Sequence, residues 1–310
     1  MTLDVVGLGY CVYDILAIVP GLPCFDDVQV AHLSDLTQDG GGQVGTALTA
    51  LARLGARAGY VGLLGDDHEG RWLRDQFTCE GVDVARLRLC ADVGTNVCLI
   101  LVDQVTARRS ILCHQRVRTI DFTLDEQDRA VIQSARVLHL DGQFMPAAIQ
   151  AARWARDAGV KVCYDGNHPR PGLEELLPLV DWLVVAEPFP PACTGCSDPD
   201  EAARALLDLP ASRSGRTKVL IVTHGDRGCL VWSGDDTFHS PAFPARAVDT
   251  TGAGDAFHGG FLYALLQGWD LRRVAVFANA VAALNCQTLG GRRGLPTLAQ
   301  VEDLIRTRRA

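Results

Sequence analysis

Short apolar runs alternate along this chain with segments whose apolar residues recur at helical spacing, and that rhythm narrows the possible folds more than any other feature. The runs Leu3–Gly9, Ala58–Leu64, Ala135–Leu140, Val160–Tyr164, Trp182–Val185, Val219–Thr223 and Gly228–Trp232 read as strands. Val44–Leu54, Glu69–Glu80, Pro146–Ala158, Gly254–Leu266, Leu271–Thr288 and Leu298–Arg306 read as helices. Parallel strands need a crossover between them, and a helix supplies it. The expectation is an α/β fold, with a mostly parallel central sheet covered by helices on both faces. Residues 11–39 and 94–115 break the rhythm. Val97–Val102 and Arg109–His114 read as two strands around a turn, and the two stretches would pair into a small second sheet. There is no internal repeat or long linker, so residues 1–310 read as one domain with that sheet inserted as a β lid.

Composition excludes several classes of partner. The chain has 310 residues, 48% hydrophobic and 21% charged, which suits a globular protein with a full core. Lys+Arg number 29 against 37 Asp+Glu, a net charge of −8, and only Lys161 and Lys218 are lysines. An acidic chain without a basic block offers no electrostatic footprint to nucleic acid or an anionic membrane. The richest apolar run, Val274 to Leu284, is interrupted by Asn279 and falls well short of the ~20 residues of a membrane span. The start, Met1-Thr2-Leu3-Asp4, lacks the features of a secretory signal, so a cytoplasmic location is expected. The 11 cysteines are scattered, and Cys193-Thr194-Gly195-Cys196 has neither a second pair nor a nearby His at ligand spacing. Reduced, partly buried thiols are expected rather than a zinc site there.

The segment Asp249-Thr250-Thr251-Gly252-Ala253-Gly254-Asp255 carries the chemistry, because it runs from small residues straight into an amphipathic helix. Gly252, Ala253 and Gly254 would present backbone N–H groups at the positive end of the helix dipole, where an anion can approach closely. Asp255 puts a carboxylate in the first helical turn beside that anion. A lone Asp there is ordinary dipole complementarity. Beside Gly-Ala-Gly it reads as a general base next to a transferring phosphoryl group.

This segment resembles the second signature of the ribokinase/PfkB carbohydrate kinase family, and Gly41-Gly42-Gln43-Val44-Gly45-Thr46 through Gly55 resembles the first. The resemblance covers nearly the whole chain, from Val5-Val6-Gly7-Leu8-Gly9 and Asp14 to the tail Gly290–Pro296. It implies a ribokinase-like three-layer sandwich and ATP-dependent phosphorylation of a primary alcohol. Asp255 would be the base and Gly252, Ala253 and Gly254 the anion hole. Asp14, Gly41, Gly42, Gln43, Thr46 and Asp141 would bind a small sugar, while Thr223, Gly225, Gly228 and Asn279 would border the ATP. The resemblance also implies Mg2+ with the nucleotide, a potassium site at Asp249, Thr251, Asn285 and Gly290, and homodimers that pair through the lid. Sugars are read by directional hydrogen bonds, which carboxylates and amides supply.

The chain departs from the family pattern at two points. Thr46 stands where the first signature usually has Asn, and the Asn-x-x-Glu motif tied to magnesium falls on Ala186-Glu187-Pro188-Phe189, leaving Glu187 to reach the metal through water. The Gly-Gly-x-x-x-Thr-Ala version and the Asn285–Gly294 ending resemble the sulfofructose kinase branch. Yet residues 11–40 hold no Lys or Arg, and position 142 is Gly142. Arg108, Arg109, Arg116 and Arg118 read as solvated lid charges, so a neutral ketose or aldose is expected. Rival readings are an anionic-sugar kinase, a nucleoside kinase using Tyr13, Phe25 and Phe144, a non-catalytic sugar sensor, and a nicotinamide-dependent oxidoreductase. The last is weakened by Val12, which stands where the third glycine of Gly-x-Gly-x-x-Gly would fall.

Overall fold

The computed structural model describes residues 2–22, 32–117, 122–209 and 219–309; Phe25, Arg118 and Lys218 lie outside them. The strands of the large sheet are β1 (Val5–Leu8), β4 (Ala58–Gly65), β5 (Asp83–Cys90), β8 (Val137–Leu140), β9 (Lys161–Gly166), β10 (Trp182–Ala186), β11 (Val219–Thr223), β12 (Cys229–Ser233) and β13 (Asp236–Ser240). They lie in the order β13-β12-β11-β10-β9-β8-β1-β4-β5. From β11 to β5 all neighbours are parallel, and β12 and β13 close one side as antiparallel hairpin strands.

Two cores flank this sheet because successive side chains of a strand point to opposite faces. Val5 and Val137 join the core under α1 (Gln43–Arg53), α2 (His68–Cys79), α8 (Ala253–Leu266), α9 (Leu271–Asn285) and α10 (Leu298–Arg309). Val6, Leu8, Leu138 and Leu140 join the other core, under α3 (Glu126–Ser134), α4 (Met145–Asp157), α5 (Leu173–Leu176), α6 (Phe189–Thr194) and α7 (Pro199–Asp208). All eight residues of β4 are buried, as a strand covered on both faces requires. Among the described residues no helix is long and apolar enough to cross a membrane.

The edge strand β5 escaped the apolar-run reading because Arg86 and Arg88 interrupt it. The structure shows what they do. Arg86 Nε lies 2.7 Å from Asp128 Oδ1 and Arg86 Nη2 lies 2.6 Å from Asp125 Oδ2, and Arg88 pairs with the same two acids. Asp125 and Asp128 form the capping box of α3, so one cluster of charges starts a helix and guards a sheet edge. The expected Leu271–Thr288 helix ends at Asn285, and Gly290 (φ 105°) then turns the chain back toward the small sheet.

That sheet contains β2 (Val12–Val19), β3 (Asp35–Gly41), β6 (Val97–Asp103) and β7 (Arg109–His114) in the order β3-β2-β6-β7. Val12, Leu16, Cys98, Ile100 and Val102 pack with Leu289 on its inner face. By register Asp14 and Arg109 share that face, while Leu36, Leu99 and Leu112 lie on the outer one, exposed. Cys98 and Cys113 face each other across β6 and β7 and are joined as a disulfide, which corrects the expectation of reduced thiols for this pair.

Candidate active site

The head of α8 lies between two loops that hold it in place. Gly252, at the helix N-cap, has φ 72°, and a Cβ there would stand 2.8 Å from Gly291 Cα, so only glycine fits. Asp249 is fully buried and accepts from Thr251 N (2.8 Å), Thr251 Oγ1 (2.7 Å) and Gly290 N (3.0 Å). Asn285 Nδ2 donates to Thr251 O (3.3 Å) and Gly291 O (3.2 Å), while its buried Oδ1 has no hydrogen-bond partner. The four residues expected around potassium therefore lie together, and an unsatisfied oxygen beside carbonyls and a carboxylate is a donor set suited to a hard cation. The Ala253 N–H turns back on Thr250 O (3.3 Å), and helix geometry leaves Gly254 and Asp255 N–H without intrahelical acceptors.

Asp255 is half-buried in the first turn of α8. Its pKa is raised to about 7, first by loss of solvation and then by the negative charges of Asp165 and Asp141, against the opposing charges of His258 and Arg109. Arg109 reaches it from β7, donating to Thr250 Oγ1 in the anion loop. Arg109 is exposed, as expected of a lid arginine, yet it reaches this loop, and Arg116 pairs with Asp67 at 3.4 Å. Sequence reading missed this role because β7 and the loop lie 141 residues apart.

Near Asp255 lies a cluster of buried acids. Asp14 is 2% exposed, and its pKa is driven well above the usual range by burial and by Asp39. A Cβ on Gly41 would stand 2.0 Å from Asp14 Oδ2, so that glycine makes room for the carboxylate. Gly42 (φ 89°) then starts α1, which carries the buried Gln43. Asp141 follows β8. Its Oδ2 accepts from Tyr10 N (2.6 Å) and its Oδ1 from Gln143 N (2.9 Å), and burial raises its pKa to about 6. The Thr46 hydroxyl accepts from Arg292 Nε at 3.5 Å.

Arg292 was quoted only as part of the tail motif, yet it is 4% exposed and organises this wall. Its Nη2 donates to Gly41 O (2.6 Å), its guanidinium lies 4.6 Å from the Phe77 ring centroid, and its backbone N donates to Asp39 Oδ2 (2.9 Å). On the other side of the α8 head opens a cavity of about 450 Å³ bordered by Thr223, Gly225, Gly228, Ala253, Gly254 and Asn279. Asn279 Nδ2 donates to Ser240 O and Oγ, both at 3.1 Å. Its volume suits a nucleotide-sized molecule.

A family model described as pfkB family carbohydrate kinase matches residues 2–298. The chain belongs to the pfkB carbohydrate kinases. It is 30% identical over 309 residues to an ATP-dependent ribose-1-phosphate kinase of Halopiger xanaduensis, covering 98% of each chain. It is 26% identical to a ribokinase of Haemophilus influenzae, over 86% of this chain and 87% of that one. A ribokinase of Arabidopsis thaliana solved with ribose and ATP superposes with a TM-score of 0.83 at 24% identity, covering 99% of each chain. The fold is the ribokinase-like α/β sandwich, and the protein is an ATP-dependent carbohydrate kinase.

In this kinase Glu187, expected near magnesium, is already engaged. Arg227 Nη2 holds both its oxygens at 2.6 and 2.7 Å, and His224 Nδ1 lies 3.2 Å away. The bonds from Arg227 hold its carboxyl below the usual range.

Proposed function

We propose that this kinase transfers the γ-phosphoryl group of Mg-ATP to a primary hydroxyl of a small sugar, with Asp255 as general base. The observation that carries the reading is the place of Asp255: at the head of α8, next to Gly254 on the border of the nucleotide-sized cavity and close to the buried acids Asp14 and Asp141, with a pKa of about 7. A base poised near neutrality can take the hydroxyl proton as the oxygen attacks in line. The glycine-rich N–H groups at Gly252–Gly254 would stabilise charge on the transferring phosphate. Asp14, Asp141 and Gln43 would orient the hydroxyls, and the small sheet would close as the lid.

Magnesium would enter with the nucleotide, with Glu187, paired to Arg227, reaching it through water. Potassium would sit against Asp249, Thr251, Asn285 and Gly290, where it would strengthen the positive field of the anion loop. Leu36, Leu99 and Leu112, exposed on the outer face of the small sheet, suit pairing with a second copy. An ATP-using kinase of this kind is assigned to the cytoplasm.

A second reading, a sugar that already carries an anionic group, is favoured by Arg109, whose guanidinium leaves the lid for the reaction centre. The decisive assay is ADP release with Mg-ATP over neutral aldoses and ketoses, nucleosides, ribose 1-phosphate and sulfofructose. Strong turnover with one neutral sugar is the expected result. Turnover confined to a phosphorylated or sulfonated sugar, and lost in Arg109→Met, establishes the second reading. Sugar binding without turnover refutes the assignment of Asp255.

A further inference from the structure

We propose that His139, Cys163 and His258 form a binding site for a soft divalent cation of the zinc class, buried between the sheet and α8. His139 on β8 and Cys163 on β9 are register partners on adjacent parallel strands, and His258 comes down on them from α8. One ligand atom of each lies within 4.8 Å of the others. The residues are 0%, 0% and 3% exposed, so nothing in solvent satisfies them.

Unmet hydrogen bonding is what points to a ligand. Neither ring nitrogen of His139 completes a hydrogen bond, and His258 Nδ1 has no partner either. Leaving a buried polar atom unpaired is costly, so native proteins rarely tolerate several together. The other nitrogen of His258, Nε2, lies 3.3 Å from Asp165 Oδ1. A histidine whose second nitrogen meets a carboxylate is the usual arrangement behind a metal ligand, since it fixes the tautomer and strengthens the donor.

Two imidazoles and a thiolate select zinc over magnesium or potassium. Bonds of about 2.0–2.3 Å place tetrahedral donors under about 4 Å apart, so slight side-chain rotation closes the site. Cys163 would release its proton on binding. The metal would clamp β8, β9 and α8 together behind Asp255.

Untagged protein expressed in zinc-supplemented medium, desalted and analysed by mass spectrometry should hold about one zinc per chain. Cys163→Ser and His139→Asn should each cut that at least about tenfold, with folding checked by circular dichroism. The double variant Cys193→Ser/Cys196→Ser should keep its zinc. Should the core variants fail to fold, this double variant loaded with cobalt must still show a thiolate-to-cobalt absorption band. Metal-free wild-type protein, zinc that follows Cys193 and Cys196, or a band that disappears with them overturns the proposal.

Discussion

Asp255 has to be ionised to accept a proton, yet its surroundings disfavour its charge: it has lost solvation and faces Asp165 and Asp141. The balance leaves its pKa raised to about 7 instead of the carboxylate's usual acid range. The protonated form cannot act as base, so kcat/KM should rise with pH up to about 7 and then level off, and below that point it should fall about tenfold per unit. A profile flat down to pH ~5 would show that another group takes the proton. Replacing the carboxylate in Asp255→Asn should lower kcat by about a hundredfold to ten-thousandfold while sugar affinity, read by calorimetry, changes little. Loss of binding and turnover together would make the residue structural. The spacing of Asp255 after Gly-Ala-Gly was enough to single it out. Its pKa was not legible, because the charges that set it come from β8, β9 and β7.

Among the elements, α8 is held by contacts from distant parts of the chain: the turn after α9 packs against its N-cap glycine, and β7 sends Arg109 to the loop before it. The glycine turn before α1 is held in the same way, with Arg292 bonding Gly41 O from 251 positions away. Arg292→Met would remove the guanidinium from the Phe77 ring and leave Gly41 O and Thr46 Oγ1 without their donor. We expect a loss of about 3 kcal/mol in denaturant unfolding, together with weaker sugar binding. A variant as stable as wild type would show that the guanidinium is dispensable. The tail motif made Arg292 visible as a residue, but its direction depends on the turn at Gly290. Thr46 was read as a sugar ligand from its place in the first signature, and only the fold shows its hydroxyl facing Arg292.

For the whole molecule, the outer face of the small sheet is the surface that most needs explaining. Leu36 and Leu112 are 60% and 58% exposed, more than stray surface leucines on a sheet otherwise backed by a core. Leu36→Asp/Leu112→Asp should shift sedimentation from dimer to monomer and leave the unfolding midpoint of each chain nearly unchanged; a wild-type protein that sediments as a monomer removes the proposed pairing. What the sequence determined by itself was everything encoded locally: the alternation that gives a parallel sheet its two cores, the glycines that begin α1 and α8, and the Asp255 carboxylate placed beside them. Periodicity and helix-start chemistry act over a few residues, so they can be read in order along the chain. The tertiary structure alone decided which charges face one another. It placed Arg109 at the anion loop, Arg292 behind the glycine turn, Glu187 against Arg227, and His139 and Cys163 beneath His258. Those meetings depend on strand order and register, which join residues that no local pattern connects.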